Sequence, residues 1–341
     1  MLKGKEVPTI RTHRFLRGAS ALALLQILII SLPNSSANAS STPIGPTLSQ
    51  LITDVVASSH AKHGPNVFTS LPTLSQAGGD GTVAMIPAPC ISSTTAVKQL
   101  PSNAGKTCAF GDTHSTKTLL LFGDSQASTW LPAFNVAGEL MRWRIIFLAK
   151  DGCGPWISPV TSIQGSSACN LWVRGEIAIA NQLKPQVVVP VGLTLSLLSN
   201  NQYPTISQFV FEFQMMVKAI APSHGKLLLL QEVPQFYSYI TSATPTSCLT
   251  VHSSSIQSCE LKVKQVKSIE TTLGLSAVAK TDHLETVPIR ELFCGKVRCD
   301  VFVNSPGESH LIYQDWAHMD ATYSVWIGRA TAQLIAKDLP H

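Results

Sequence analysis

The sequence predicts a three-layer α/β/α sandwich built on a central five-stranded parallel sheet, and two observations predict it. A chain of 341 residues that is 45% hydrophobic and 13% charged can bury a large core and is too apolar to stay disordered. From Thr118 onward, short apolar runs alternate with amphipathic segments, which is the pattern of parallel strands joined by crossover helices.

The elements follow in chain order. Lys3, Lys5, Arg11, Arg14 and Arg17 precede an apolar run from Ala19 to Leu32 that leads to Ala37-Asn38-Ala39. This is the grammar of a secretory signal peptide over residues 1–39, with a membrane tether as the alternative if the segment stays uncleaved. The run contains Gln26 and falls short of the roughly 20 apolar residues a spanning helix needs. Residues 40–115 are rich in Ser, Thr, Pro and Gly, with one helical stretch at Leu48–Ser58, and read as a disulfide-tied N-terminal extension. Residues 116–341 read as the catalytic domain. Its strands are expected at Thr118–Phe122, Arg144–Ala149, Val187–Val191, Lys226–Gln231 and Ser276–Lys280. Helices with apolar residues at spacings of three and four are expected at Ser125–Trp143, Leu171–Leu183, Ile206–Ile220, Ser258–Leu273 and Asp320–Lys337. Two stretches, Ser238–Ile256 and Glu291–Gln314, fall outside the alternation and read as excursions near the active face.

Charge narrows the function. The formal net charge is +5, but residues 1–39 hold five Lys/Arg and one Glu, so the remainder carries only +1. No basic run with interleaved aromatics is left, which excludes nucleic acid as a partner. Thiols that leave the cytoplasm are normally oxidised in pairs, and the eight cysteines fall as near neighbours: Cys90 with Cys108, Cys153 with Cys169, Cys248 with Cys259, and Cys294 with Cys299. None of these spacings matches a zinc finger or ribbon, so no metal is expected. His310, His283, His224 and the pair His60/His63 read as solvated loop histidines, without acidic or cysteine partners at ligand spacing.

Two short motifs carry chemistry. Gly123-Asp124-Ser125 closes the first strand at the C-terminal edge of the sheet, where open α/β folds bind ligands. Ser125 then opens a helix, so its own amide, unpaired in the first turn, can donate to an oxyanion forming beside its Oγ. Asp315-Trp316-Ala317-His318 stands before the last helix, with Asp and His three apart and able to share one face of a turn. His318 would accept the serine proton and Asp315 would orient the imidazole. Taken alone, each motif also fits a capped turn. Together, in an exported α/β chain, they read as a Ser-His-Asp triad. Trp130, Trp156, Trp172 and Trp316 read as core or pocket wall, with Trp316 the one placed to line a sugar-sized cleft.

Leu121-Phe122-Gly123-Asp124-Ser125-Gln126-Ala127, followed by Trp130, resembles the nucleophile block of SGNH hydrolases, above all of SGNH domains fused to integral-membrane acyltransferase-3 proteins. The resemblance extends to Cys108-Ala109-Phe110-Gly111-Asp112, Cys153-Gly154-Pro155, Cys169 with Trp172, and Phe293-Cys294 with Cys299, covering nearly all of residues 85–335. It implies a flavodoxin-like sheet order and the transfer or removal of acyl groups, usually acetyl, on hydroxyls of cell-envelope polysaccharide, peptidoglycan or glycolipid. Ser125, Asp315 and His318 carry over as catalytic residues, and no cofactor is implied.

Two positions depart from the family pattern. Gln126 replaces the His that often follows the serine and is expected to alter the pocket. Gly192-Leu193-Thr194 stands where an oxyanion Asn is usual, which leaves the Gly152 amide and the Thr194 hydroxyl as candidate donors. The partners implied are an envelope glycan or glycolipid acceptor and a separate membrane acyltransferase as donor. The alternatives are a freestanding secreted carbohydrate esterase and a catalytically silent glycan-binding module.

Overall fold

The computed structural model describes residues 45–63, 70–93, 99–157, 167–192, 205–220, 225–236, 244–252, 254–266 and 284–340. Leu119–Phe122, Ile145–Ala149 and Val187–Val189 are almost wholly removed from solvent, as strands covered on both faces by crossover helices must be. Each such Leu or Val side chain contributes roughly 1.5–3 kcal/mol on burial.

The strands of the main sheet are β1 (Ile91–Ser92), β2 (Ala109–Gly111), β3 (Thr118–Gly123), β4 (Arg144–Lys150), β5 (Val187–Val191), β6 (Lys226–Leu230) and β7 (Glu285–Val287). Their order is β1-β4-β3-β5-β6-β7, all parallel, with β2 antiparallel to β4. The chain therefore leaves β3 for one neighbour and then returns to the other, the flavodoxin-like order with its switch point between β3 and β5. Right-handed crossovers put α2 (Ser125–Met141) and α3 (Ser167–Leu183) on opposite faces, and α4 (Ile206–Ile220) joins β5 to β6.

Pro190 inside β5 follows from the register. Asp124 donates to Val191 O (3.3 Å), so Val189 and Val191 turn their backbone groups to β3 while Pro190 faces β6. The ladder to β6 has ended at Val188, so the missing N–H leaves no gap.

The expected five-stranded sheet is larger among the described residues, because the extension supplies β1 and β2 to the free edge of β4. The expected strand Ser276–Lys280 lies outside the described residues, and the outermost described strand is β7. The expected helix Ser258–Leu273 is corrected over its described part. Ile256–Ser258 and Val263–Gln265 are single 3-10 turns, and Leu261–Lys262 pairs with Arg298–Cys299. Cys259, Val263 and Val266 carry the helical spacing, but Ile256, Leu261 and Val266 are the buried aliphatic residues, five apart, on turns tied to the Cys248–Cys259 bridge. The expected final helix is two, α5 (Ala321–Trp326) and α6 (Gly328–Ala336). They break where a Cβ on Gly328 would sit 2.5 Å from Val136 Cβ of α2.

The stretch Glu291–Gln314 contains a hairpin, β8 (Phe302–Ser305) and β9 (Glu308–Leu311), turned by Gly307 at φ 87°. Helix α1 (Leu48–Ser58) packs on it: Ser58 Oγ accepts from Asn304 N–H (2.9 Å) and Ser305 Oγ donates to Asp54 Oδ2 (2.9 Å). His310, expected to be a solvated loop residue, is buried in β9 and stacked on Trp326 at 3.9 Å; burial holds its pKa below the ordinary value despite the opposing pull of Glu308. His283 and His224 lie outside the described residues.

All four cysteine pairs are bridged as expected: Cys90–Cys108, Cys153–Cys169, Cys248–Cys259 and Cys294–Cys299. Reduction of the unfolded chain is expected to add two hydrogens at each of the four bridges, read by intact mass. Because a bridge closing about 15 residues contributes about 3 kcal/mol in the chain-entropy account, reductant should also lower Tm. An unchanged mass would remove the bridges from the account of stability.

Candidate active site

Gly123 makes the nucleophile turn possible. Its φ is 149°, and a Cβ there would lie 1.7 Å from Val191 O, so only glycine fits between the two strands. Asp124, fully buried, caps α2 by accepting the Gln126 N–H on Oδ1 (2.8 Å). Ser125 is thereby the first residue of α2, half-buried at the C-terminal edge of the sheet and beside the switch point.

The turn Asp315–His318 is built to aim one imidazole. Asp315 Oδ1 accepts the N–H groups of Ala317 and His318, each at 2.9 Å, which leaves Oδ2 to meet His318 Nδ1 at 2.7 Å. His318 Nε2 lies 2.7 Å from Ser125 Oγ. With the carboxylate accepting at Nδ1, that nitrogen carries the proton and Nε2 is left to accept from the serine hydroxyl.

The turn is tied down at three points. Gln314 N–H donates to His318 O (3.0 Å), Phe236 N–H to Trp316 O (2.7 Å) and Gln126 Nε2 to Ala317 O (3.0 Å). Gln126 was expected to alter the pocket. It is fully buried and, through its bond to Ala317 O, holds the base-bearing turn onto α2.

The electrostatics suit a general base. Burial alone would push Asp315 up. The His318 hydrogen bond and charge, with the two backbone donors, outweigh it and hold the carboxyl below its usual range. For His318, burial works against the charged form, but the hydrogen bond and charge of Asp315, then the charges of Asp124 and Asp151, raise its pKa above 6.5. Since only neutral imidazole can accept the serine proton, kcat/KM is expected to fall as pH drops through that raised value. The acid limb of the profile should therefore lie above pH 6.5. A limb below 6.5 would contradict the acidic surroundings of His318.

Gly152 turns the chain after β4 at φ 67°, and Thr194 lies outside the described residues. Trp316 is 40% exposed beside the triad, whereas Trp130, Trp156 and Trp172 are buried. Sequence reading missed a buried polar group below the elbow. Lys150 Nζ donates to Ser92 Oγ (3.3 Å) and Ser93 O and lies 5.7 Å over the Trp172 ring, whose Nε1 donates to Glu176 Oε1 (2.8 Å). Burial, helped by the charge of Asp124, keeps the Glu176 pKa well above the usual carboxylate range, against the pull of Trp172. The signal was the lysine that directly follows the apolar run Ile145–Ala149. Gly192 was likewise missed as a packing partner: a Cβ there would meet Pro155 Cδ at 2.5 Å and Asp124 Oδ2 at 3.2 Å.

The family model described as SGNH domain (fused to AT3 domains) matches residues 89–333, well over half of the chain. The chain belongs to the SGNH family. As an SGNH protein it is a serine-dependent ester hydrolase or acyltransferase. Among solved structures, the periplasmic domain of a lipopolysaccharide acetyltransferase from Salmonella ser. Paratyphi A aligns with a TM-score of 0.52 at 14% identity, covering 73% of this chain and 92% of that one. Est24, a carbohydrate acetylesterase from Sinorhizobium meliloti, aligns with a TM-score of 0.40 at 16% identity, covering 66% of this chain and 100% of its own. At 14% identity the likeness to the acetyltransferase domain is one of fold alone. No curated protein matches the chain.

Proposed function

We propose that this SGNH chain is an exported serine O-acyltransferase or esterase that handles acyl groups, acetyl foremost, on hydroxyls of cell-envelope polysaccharide or glycolipid. The observation that carries the reading is the unbroken hydrogen-bonded line from Asp315 Oδ2 through His318 to Ser125 Oγ, 2.7 Å at each step. A silent glycan-binding module has no need to hold three side chains in that line.

In the proposed cycle Ser125 Oγ attacks the ester carbonyl as its proton passes to His318 Nε2. Cleavage of the C–O bond returns that proton to the departing alcohol and leaves an acyl-enzyme. An acceptor hydroxyl, or water, then attacks the acyl carbon. Its proton goes to His318 and, as the tetrahedral species collapses, on to Ser125 Oγ. The Ser125 amide and the Gly152 amide are the proposed oxyanion donors, with the Thr194 hydroxyl a third. Loss of one donor costs about 10²–10³ in turnover, so a Thr194 hydroxyl weaker than the family's usual Asn would favour a held glycan acceptor over free water.

The four bridges support an oxidising, extracytoplasmic location, with residues 1–39 as the signal that takes the chain there. Among the described residues no helix is long and apolar enough to cross a membrane. The family's fusion to AT3 domains supports a membrane acyltransferase as the acyl donor, and the lipopolysaccharide acetyltransferase neighbour fits a glycan acceptor.

The test is p-nitrophenol release from p-nitrophenyl acetate by wild type and Ser125→Ala, with an oligosaccharide acceptor added in parallel. Hydrolysis lost in the variant is expected, and acyl appearing on the sugar would select transferase over esterase. Equal background rates in both proteins would overturn the acyl-enzyme.

A further inference from the structure

Strand register decides what stands beside the nucleophile. Gly123 pairs with Ala149 at the end of the β3–β4 ladder, so Ser125 and Asp151, each two residues beyond, leave the same C-terminal edge of the sheet on neighbouring strands. Asp151 is anchored by its backbone, whose N–H donates to Ser92 O at 2.9 Å, and the chain turns away at Gly152. Asp151 is half-buried there.

Its surroundings are unusual for a carboxylate. Asp151 and His318 feel one another's charge, and Lys150 is the other cation that acts on it. Among the described residues no hydrogen bond or ion pair reaches the carboxylate itself. A half-buried carboxylate without a donor is costly, and its negative charge, though it raises the pKa of His318, opposes the oxyanion that the acyl step generates. Both costs are offset if the substrate brings the donor.

We infer that Asp151 is a specificity-determining residue: its carboxylate accepts a hydrogen bond from a hydroxyl flanking the one that carries or receives the acyl group, so the site selects neutral, polyhydroxylated substrates over simple esters. This rests on the Ser125/His318 reading above. Anionic sugars are disfavoured by the same charge, and so are esters with no neighbouring hydroxyl to donate.

The test compares wild type with Asp151→Asn, a substitution that keeps the shape, on two probes in the full-length exported protein. One probe is p-nitrophenyl acetate, which has no hydroxyl. The other is a mono-O-acetylated methyl glucoside, measured beside its deoxy analogue lacking the flanking hydroxyl. The variant should hydrolyse p-nitrophenyl acetate at its plateau within about threefold of wild type, which also shows that it is folded. It should release acetate from the glucoside on the order of 10- to 100-fold more slowly, the cost of a hydrogen bond to a charged group. On the deoxy analogue the difference between the two proteins should vanish. The acid limb on p-nitrophenyl acetate should also move to lower pH, because a negative charge near His318 has gone. Equal losses on both probes, or an undiminished rate on the glucoside, would overturn the inference while leaving the nucleophile intact. Failure of wild type itself on p-nitrophenyl acetate, matched by Ser125→Ala, would instead remove the reading on which it rests.

Discussion

Replacing His318 by Gln is expected to lower kcat for p-nitrophenyl acetate by four to six orders of magnitude, the range found when the base of a serine triad is removed. The side chain that makes both 2.7 Å contacts, to Asp315 Oδ2 and to Ser125 Oγ, would be gone. A carboxamide cannot take up the serine proton, so the hydroxyl would have to attack with its proton in place. KM should change far less, because the imidazole works on the transferring proton and adds little to ground-state binding. The helix-terminal amide of Ser125 remains, so the residual rate should still exceed the uncatalysed one. Steady-state kinetics on the purified variant reads the result. Retention of more than about a tenth of wild-type kcat would show that another group takes the proton.

Gly123→Ala should be the most damaging substitution to the fold. The added Cβ would sit 1.7 Å from Val191 O and 2.8 Å from Val191 C. These are backbone atoms of the neighbouring strand, so no rotation of a side chain can relieve the overlap. The residue would also be held at φ 149°, a conformation that favours glycine. A loss exceeding about 4 kcal/mol is expected, equivalent to a fall in Tm of roughly 8–16 °C for a domain of this size. Gly307→Ala is the matching control: its φ is 87°, but nothing lies within 4 Å of the added carbon, so only the conformational penalty of about 1–2 kcal/mol applies. Thermal melts of the two variants separate close approach from backbone preference. Equal melting points would mean that β3 and β5 can part at the nucleophile turn at little cost.

The elements that could be read from the sequence are those whose burial is continuous. Val187–Val191 and Ile206–Ile220 have the bounds expected of them, because one is enclosed on both faces and the other presents a regular apolar stripe. Strand β7 carried no such signal. Its three residues begin with Glu285, exposed and paired with Lys226 at 2.9 Å, so it owes its place to the edge of the sheet rather than to its own apolarity. Residues 258–266 had a helical spacing and no helix, since two nearby bridges, Cys248–Cys259 and Cys294–Cys299, constrain the chain more strongly than local propensity. At the site, Ser125, Asp315 and His318 were legible because each stands at a punctuated turn. Gln126 and Lys150 were not, because their partners, Ala317 O and Ser92 Oγ, are distant in the chain.

The outer border of β4 is occupied along its length. Ala109–Gly111 pairs with Arg144–Ile146, Phe147 N–H donates to Cys108 O, and Ile91–Ser92 pairs with Ala149–Lys150. Cys90 and Cys108 immediately precede these two short caps, so a single bridge clips both in place. An open border on so apolar a strand would be a template for another chain to add to the sheet. Resistance to self-association therefore depends on the redox state of one cystine, and the chain should be most vulnerable to aggregation during the interval between synthesis and oxidation.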